Sequence, residues 1–258
     1  MRNESDRLPV SPRGEGLFSD VRHVARTGST NADVAALARS GAREGVVVVA
    51  GHQSAGRGRR DRRWSAGPGD ALLASILLRP EVPVERFGLI PLAVGVAIVD
   101  AARALGVDDA GLKWPNDVLV GGAKLAGILS EFIAEGGGRS GGAAVVVGFG
   151  VNLRATPAEV PDAVSLADLT GESVDRDVFL RAVLDRFASH YATLGDGSIV
   201  ALATARMTTL GREVDVERPG SPLRGRAVGL DEGGRLVVDT PSGAVVVAAG
   251  DVVHLRPR

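Results

Sequence analysis

Five arginines fall within one short segment, Gly56-Arg57-Gly58-Arg59-Arg60-Asp61-Arg62-Arg63-Trp64. A guanidinium presents a planar fork of donors that matches carboxylate and phosphate oxygens. Glycine lets a backbone take left-handed angles and come close to a ligand. The indole at the end of the segment offers a flat face for a base or another ring. The whole chain carries a formal charge of only −1, so this positive charge is local. The segment reads as an anion site of the kind that takes a nucleotide. A solvated surface loop could carry the same arginines, but Val46-Val47-Val48-Val49-Ala50-Gly51 directly before it reads as a buried strand. Ligands of open α/β sheets gather just beyond the ends of such strands.

A second cluster follows at Lys113-Trp114-Pro115-Asn116-Asp117-Val118, then Lys124-Leu125-Ala126-Gly127-Ile128-Leu129. Pro115 fixes its own φ and pushes Trp114 toward extended backbone. Asn116 and Asp117 stand at a turn or strand start, where a carboxylate beside phosphates would hold Mg²⁺. Plain turn chemistry accounts for the same pair. Gly121-Gly122 makes a tight hairpin turn, which puts Lys124 near the start of the returning strand. An ordinary exposed strand lysine is the alternative for Lys124.

Taken in order, these motifs resemble the catalytic domain of biotin protein ligases. The resemblance rests on Ser29-Thr30-Asn31, Gln53, Gly56 to Arg60 with Trp64, Lys113 to Asp117, Lys124 to Gly127, and Gly148-Phe149-Gly150-Val151-Asn152. It spans about residues 22–255. It implies an α+β fold: a central mixed β-sheet with packed helices, of the class II synthetase-like, biotin–lipoate ligase type, plus a small C-terminal SH3-like β-barrel. It also implies biotin and ATP as substrates with Mg²⁺, activation of biotin as biotinyl-5′-AMP, and transfer to a lysine. The implied acceptor is the biotin carboxyl carrier domain of acetyl-CoA carboxylase or a related acyl-CoA carboxylase.

Bringing two anions together requires cations at the reacting centre. On this reading Lys124, Arg57 and Arg59 are the catalytic candidates. Ser29, Thr30, Asn31 and Gln53, with Arg57, Gly58, Arg59 and Lys124, would bind biotin. Arg59, Arg60, Trp64, Asn116, Asp117, Lys124 and Asn152 would hold ATP and the adenylate, with Asp117 at the metal. Alternatives stay open: Ser29 or Thr30 also suits a helix cap, Trp64 suits partial core burial, and Gly148 and Gly150 suit close strand packing. Asp61 departs from the family pattern, which often has glycine there; it would either pair with Arg62 or Arg63 and order the loop, or weaken phosphate binding. The arginines should repel one another when no anion lies between them, so the loop is expected to be mobile until ligand arrives.

The 258 residues suit one large domain and a small one. At 45% hydrophobic and 24% charged the composition is that of an ordinary soluble protein, and with 3% aromatics the core must be aliphatic. The absence of cysteine excludes disulfides and thiolate chemistry. No apolar run reaches membrane-spanning length, and Met1 to Arg7 lacks the apolar core of a signal peptide, so the expectation is cytoplasmic, with no membrane partner. Residues 1–20 read as a flexible tail, 21–207 as the catalytic domain and 208–258 as the barrel. A tail that short leaves no room for the winged-helix domain of repressor-type relatives, so a ligase without repressor activity is expected. Monomer and weak homodimer both remain open, an edge strand of the sheet being the surface that could pair.

The pattern predicts a helix from Ser29 or Thr30 to Arg39, closed by Gly41, and a helix over 87–105. Further helices are predicted over 177–194 and 198–206. Strands are predicted at 46–50, 71–78, 112–114, 118–120, 124–134 and 143–152, with a mobile glycine-rich loop at 136–142. Beyond Leu210 short runs at 212–217, 223–230, 235–239, 244–247 and 252–255, with turns such as Pro219-Gly220, predict the barrel.

A lipoate ligase shares the implied fold and adenylation logic and is the nearest rival; the motifs at 56–64 and 113–117 favour biotin. A P-loop hydrolase fails because Arg57-Gly58 stands where Lys and Ser or Thr are needed. A nucleic-acid module fails on the near-neutral total charge, so no nucleic-acid partner is expected. His23, His52, His190 and His254 lack ligand spacing.

Overall fold

The computed structural model describes residues 16–133, 143–156, 160, 162–217, 221–248 and 250–254. The glycine-rich loop expected at 136–142 and the turn at Pro219-Gly220 lie outside the described residues, as do residues 1–15 of the expected tail.

Seven strands make one mixed sheet: β1 (Val21–Val24), β2 (Val47–Ala50), β3 (Ala71–Leu78), β4 (Ala110–Lys113), β5 (Asp117–Val120), β6 (Ala123–Ile133) and β7 (Ala144–Asn152), in the order β1-β2-β3-β7-β6-β5-β4. Only the β1–β2 pair is parallel. Strands β2, β3 and β7 are buried at every position because both faces of the sheet are covered, which is why they read as unbroken apolar runs rather than alternating ones.

The period of two divides these side chains between two cores. Val47, Val49, Leu72, Ala74 and Ile76 face α2 (Leu89–Arg103). Val46, Val48, Leu77 and Val146 face α1 (Thr30–Arg39). Helix α2 is buried at 12 of its 15 positions, since α4 (Arg176–Ala192) and α5 (Ser198–Arg206) cover its outer side. Arg206 and Asp100 fasten α5 to α2 through a bidentate pair at 2.7 and 3.0 Å. Helix α1 is short and covers only part of its sheet face. The uncovered part, along β6, β7 and the first half of β3, is the floor of a cavity.

Two expectations need correction. The tail does not extend to Asp20: Phe18 is 4% exposed and stacks on Phe187 of α4, with ring centroids 5.2 Å apart. Strand β1 was not expected, nor was α3 (Leu166–Thr170), which carries a capping box between Ser165 and Asp168. The C-terminal strands β8 (Glu213–Glu217), β9 (Leu223–Leu230), β10 (Leu236–Thr240), β11 (Gly243–Val247) and β12 (Asp251–His254) form an antiparallel sheet in the order β11-β10-β9-β8-β12. This is the small C-terminal all-β unit that was expected; among the described residues its end strands β11 and β12 do not pair.

Candidate active site

A cavity of about 570 Å³ lies on the open part of the sheet face, between the arginine segment, the Lys113–Asp117 turn and the second sheet. The arginine segment is a hairpin. Gly58 N donates to Arg62 O at 2.7 Å, Arg62 N to Arg59 O at 3.2 Å and Trp64 N to Gly56 O at 3.0 Å. Arg60 and Asp61 form its tip with φ of +52° and +58°. Left-handed backbone costs a side chain about 1–2 kcal/mol unless it is Gly or, to a lesser degree, Asn or Asp. Aspartate at position 61 is a residue type that such backbone admits at lower cost.

All five arginines are engaged by the protein, and Asp251 is shared by Arg59, Arg60 and Arg62. Arg59 Nη1 donates to Asn116 Oδ1 at 3.1 Å, Gly250 O at 3.2 Å and Asp251 Oδ1 at 3.3 Å. Burial lowers its pKa, and the carboxylate of Asp251 opposes the shift. Arg62 pairs with Asp251, Arg60 with Glu217, and Arg63 donates to Ser54 O at 2.9 Å. Arg57 Nη2 donates to Glu131 Oε2 at 2.8 Å. The expectation of mutual repulsion left out these three carboxylates, which supply the countercharge from the protein itself. Arg62 and Arg63 are thus engaged away from Asp61. Arg60 does not line this cavity and borders a second groove along the hairpin.

One end of the cavity is a network of neutral polar groups. Gln53 Oε1 accepts from Thr30 N at 2.7 Å and from Thr30 Oγ1 at 3.0 Å. Gln53 therefore caps α1, while Ser29, at the N-cap position, makes no side-chain capping bond and lines the cavity. Ser75, fully buried on β3, lies 2.7 Å from Thr30 Oγ1 and 2.6 Å from Asn31 Oδ1. Asn31 Nδ2 donates to Leu129 O at 3.3 Å and to Glu131 Oε2 at 2.6 Å. A Cβ at Gly148 would collide with Asn31 Oδ1, so this glycine makes room for the amide.

The middle is cationic. Lys124 Nζ stands 2.8 Å from Asp117 Oδ1 and 5.7 Å from the centroid of the Trp64 ring. The glycines of β6 and β7 admit that indole: a Cβ at Gly150 would lie 2.6 Å from Trp64 Cζ2, and one at Gly127 would lie 3.0 Å from Cζ3. Asn116 Nδ2 donates to Ile128 O at 2.9 Å, which leaves its Oδ1 for Arg59. Asn152 Nδ2 bridges Lys124 O and Val164 O, both at 3.2 Å. Two buried polar atoms of the cavity wall, Trp64 Nε1 and Asn152 Oδ1, have no partner among the described residues. Buried polar atoms are nearly always paired, so such orphans mark a place where a ligand can bond.

Trp114 has a different task from Trp64. It is 2% exposed, directly follows β4 and is joined to Pro115 by a cis peptide. Its indole Nε1 donates to Gly234 O at 3.0 Å and its backbone N to Thr209 Oγ1 at 3.1 Å, which pins the second sheet against the first. Every site residue named from the sequence except Arg60 lines the cavity. Ser75, Glu131, Glu217 and Asp251 were missed. Ser75 is a hydroxyl inside the apolar run Ala71–Leu78, and Glu131 a carboxylate in a mostly apolar strand, so both left a trace; Glu217 and Asp251 read as ordinary barrel surface.

Among the described residues no three His, Cys, Asp or Glu side chains stand together as a metal cage. Asp117 is a lone carboxylate beside the cationic centre. That fits magnesium arriving with a nucleotide, since this ion commonly takes one or two carboxylates and completes its shell with phosphates and water. No helix is long and apolar enough to cross a membrane among the described residues.

Comparison with known proteins agrees with this geometry. Residues 24–152 match the biotin/lipoate A/B protein ligase family, and residues 209–255 match the biotin protein ligase C-terminal domain. The chain is 43% identical to a biotin–[acetyl-CoA-carboxylase] ligase of Mycobacterium tuberculosis, over 90% of this chain and 88% of that one. It is 36% identical to the ligase of the same name from Paracoccus denitrificans, over 89% and 98%. The structure of an Aquifex aeolicus biotin protein ligase in complex with biotin and ATP superposes with a TM-score of 0.81 at 27% identity, covering 93% of this chain and all of that one. The chain belongs to the biotin/lipoate A/B protein ligase family.

Proposed function

We propose that the protein is an ATP-dependent ligase that activates biotin as biotinyl-5′-AMP and transfers it to a lysine of a biotin carboxyl carrier domain. The carrier domain would be part of acetyl-CoA carboxylase or a related acyl-CoA carboxylase. The supporting observation is one cavity with a neutral hydrogen-bonding end, a cationic centre at Lys124 and Arg59, and an aromatic wall with two orphan polar atoms. Biotin has a ureido ring at one end and a carboxylate at the other, which matches the first two regions. A nucleotide base and its polar edge match the third.

In this reading Ser29 and Gln53 meet the ureido ring, with Thr30 and Asn31 holding the shape of that end and Gly58 allowing close approach. A carboxylate oxygen of biotin attacks the α-phosphorus, a P–O bond forms, and pyrophosphate leaves with the electrons of the broken one. Lys124 and Arg59 lie where negative charge accumulates, and fixed charges aimed at such a centre commonly supply most of an enzyme's rate enhancement. Asp117 orients Lys124 and would hold a nucleotide-borne Mg²⁺, whose contribution is to neutralise phosphate charge. Trp64 stacks on adenine and Asn152 Oδ1 accepts from its amino group. The lysine amine then attacks the acyl carbon, AMP leaves, and an amide remains. We place the boundary between the catalytic and C-terminal domains at 207/208.

Labelled biotin presented with a carrier domain tests the proposal. ATP-dependent incorporation by the parent enzyme, lost in Lys124→Ala and not competed by lipoate, is expected. Incorporation of lipoate in preference to biotin, or of neither, would overturn it.

A further inference from the structure

Resting on the biotin-ligase reading, we propose that Glu131 is a positioning residue for the biotin end, bracing the floor of the pocket against the arginine hairpin. Strand β6 turns Leu129 and Glu131 toward the α1 side of the sheet. A carboxylate half-withdrawn from water on a central strand is costly unless it is paired. One oxygen, Oε2, accepts from both Asn31 Nδ2 at 2.6 Å and Arg57 Nη2 at 2.8 Å. Its side chain is 29% exposed and that of Arg57 47%, so Coulomb attraction alone is weak here. The geometric effect is larger.

Asn31 spends both amide protons, on Leu129 O and Glu131, and its Oδ1 takes Ser75. Glu131 thereby fixes which way the amide faces. A flipped amide would put Nδ2 against the hydroxyl of Ser75 and Oδ1 against two acceptors. The path continues through Ser75 to Thr30 Oγ1 and on to Gln53 Oε1. It therefore connects a charge on the sheet to the group that caps α1 and borders the cavity. In the other direction Arg57 ties the same carboxylate to the hairpin that carries Arg59 and ends at Trp64.

Two consequences follow. Arg57 acts as a strut, so the cations left for the phosphates are Arg59 and Lys124. The fit for biotin depends on the acceptor oxygen of a residue that does not line the biotin cavity.

Steady-state biotinyl-adenylate synthesis by Glu131→Ala, Glu131→Gln, Arg57→Ala and the Glu131→Ala/Arg57→Ala double variant tests this, with thermal melting alongside. Losing a hydrogen bond to a charged group corresponds to about a tenfold change, so KM for biotin should rise about tenfold in Glu131→Ala while KM for ATP stays within about twofold. Glu131→Gln keeps an acceptor for Asn31 and should recover most of the loss; it also serves if the alanine variant does not fold. In the double variant Arg57→Ala should add less than it does alone, because the strut has already gone. An unchanged biotin KM in Glu131→Ala would overturn the inference. So would equal rises in both KM values with a lowered melting temperature, or strictly additive effects of the two alanines. Failure of the parent enzyme to form the adenylate would strike the functional reading instead, and the two failures are therefore distinguishable.

Discussion

At the residue scale the site depends on a few side chains whose neighbours leave no room for others. Lys124 is held by Asp117 at 2.8 Å and has no other side-chain hydrogen bond among the described residues, so removing it subtracts charge at the centre without opening the core. Lys124→Ala should slow adenylate formation by about 100-fold, the usual scale for one electrostatic group, with the melting temperature nearly unchanged. Equal rates of pyrophosphate release in parent and variant would refute the role. The glycines of β7 make a sharper pair. Gly148→Ala would strike Asn31, and Gly150→Ala would strike the Trp64 indole. The first should raise KM for biotin and the second KM for ATP. Isothermal titration of each variant with the two substrates checks the separation, and matching losses for both substrates in both variants would contradict it.

The arginines, Trp64 and Lys124 were legible from their types and order, because charge and flat apolar area are written in side-chain identity. Their partners were not. Nothing in the alternating pattern of β8 and β12 distinguishes Glu217 and Asp251 from solvated strand residues, since the hairpin that meets them is more than 150 positions away in the chain. Ser29 shows a subtler limit. A serine at a helix start predicts a cap, yet Gln53 takes that task through a contact 23 residues distant.

At the element scale the arginine hairpin is the unit that matters. Its tip places two non-glycine residues at positive φ, and its flanks are tied to Glu131, Glu217 and Asp251. Asp61→Val puts a β-branched side chain at φ +58°. It should destabilise the hairpin by about 1–2 kcal/mol, whereas Asp61→Gly should not. Limited proteolysis reads this directly: faster cutting within 56–64 is expected for the valine variant and also for Asp251→Ala. Identical cutting in all three would show that neither the turn nor the carboxylate orders the segment.

Long apolar segments such as β3, β7 and α2 were readable because burial on both sides leaves no polar position to confuse the period. Strand β1 escaped notice because Val21-Arg22-His23-Val24 is an edge strand with a half-polar surface. Helix α3 is only five residues long, too short for periodicity, although its Ser165–Asp168 capping box was present in the sequence. Phe18 sits among prolines, glycines and serines whose composition suggested a loose tail; one aromatic ring stacking on α4 outweighs that composition locally.

At the scale of the whole molecule the second sheet helps to form the site. Trp114 bonds to Gly234 O, and Arg59 bonds to Gly250 O, across the same junction. Trp114→Phe leaves that buried carbonyl without its donor, which should cost about 1–3 kcal/mol and raise KM for ATP through Arg59; a change in one quantity without the other would separate the two effects. His254 gives the junction a pH dependence. Burial, then the positive charges of Lys113 and Arg212, pushes its pKa down to about 4. The unfolded chain binds a proton near pH 6.5 and the folded one resists until about pH 4, so stability falls as pH drops through that window. Melting temperatures of His254→Gln should vary less over the same range, and an unchanged slope would remove His254 from the account.

The most direct test of the central claim mixes the purified protein with biotin, ATP and Mg²⁺ in the absence of any acceptor, and measures pyrophosphate and the bound small molecule together. One burst of pyrophosphate per site, matched by retained biotinyl-5′-AMP that is discharged by a carrier domain, is the expected result. Pyrophosphate without retained acyl-adenylate, or neither product, would contradict it.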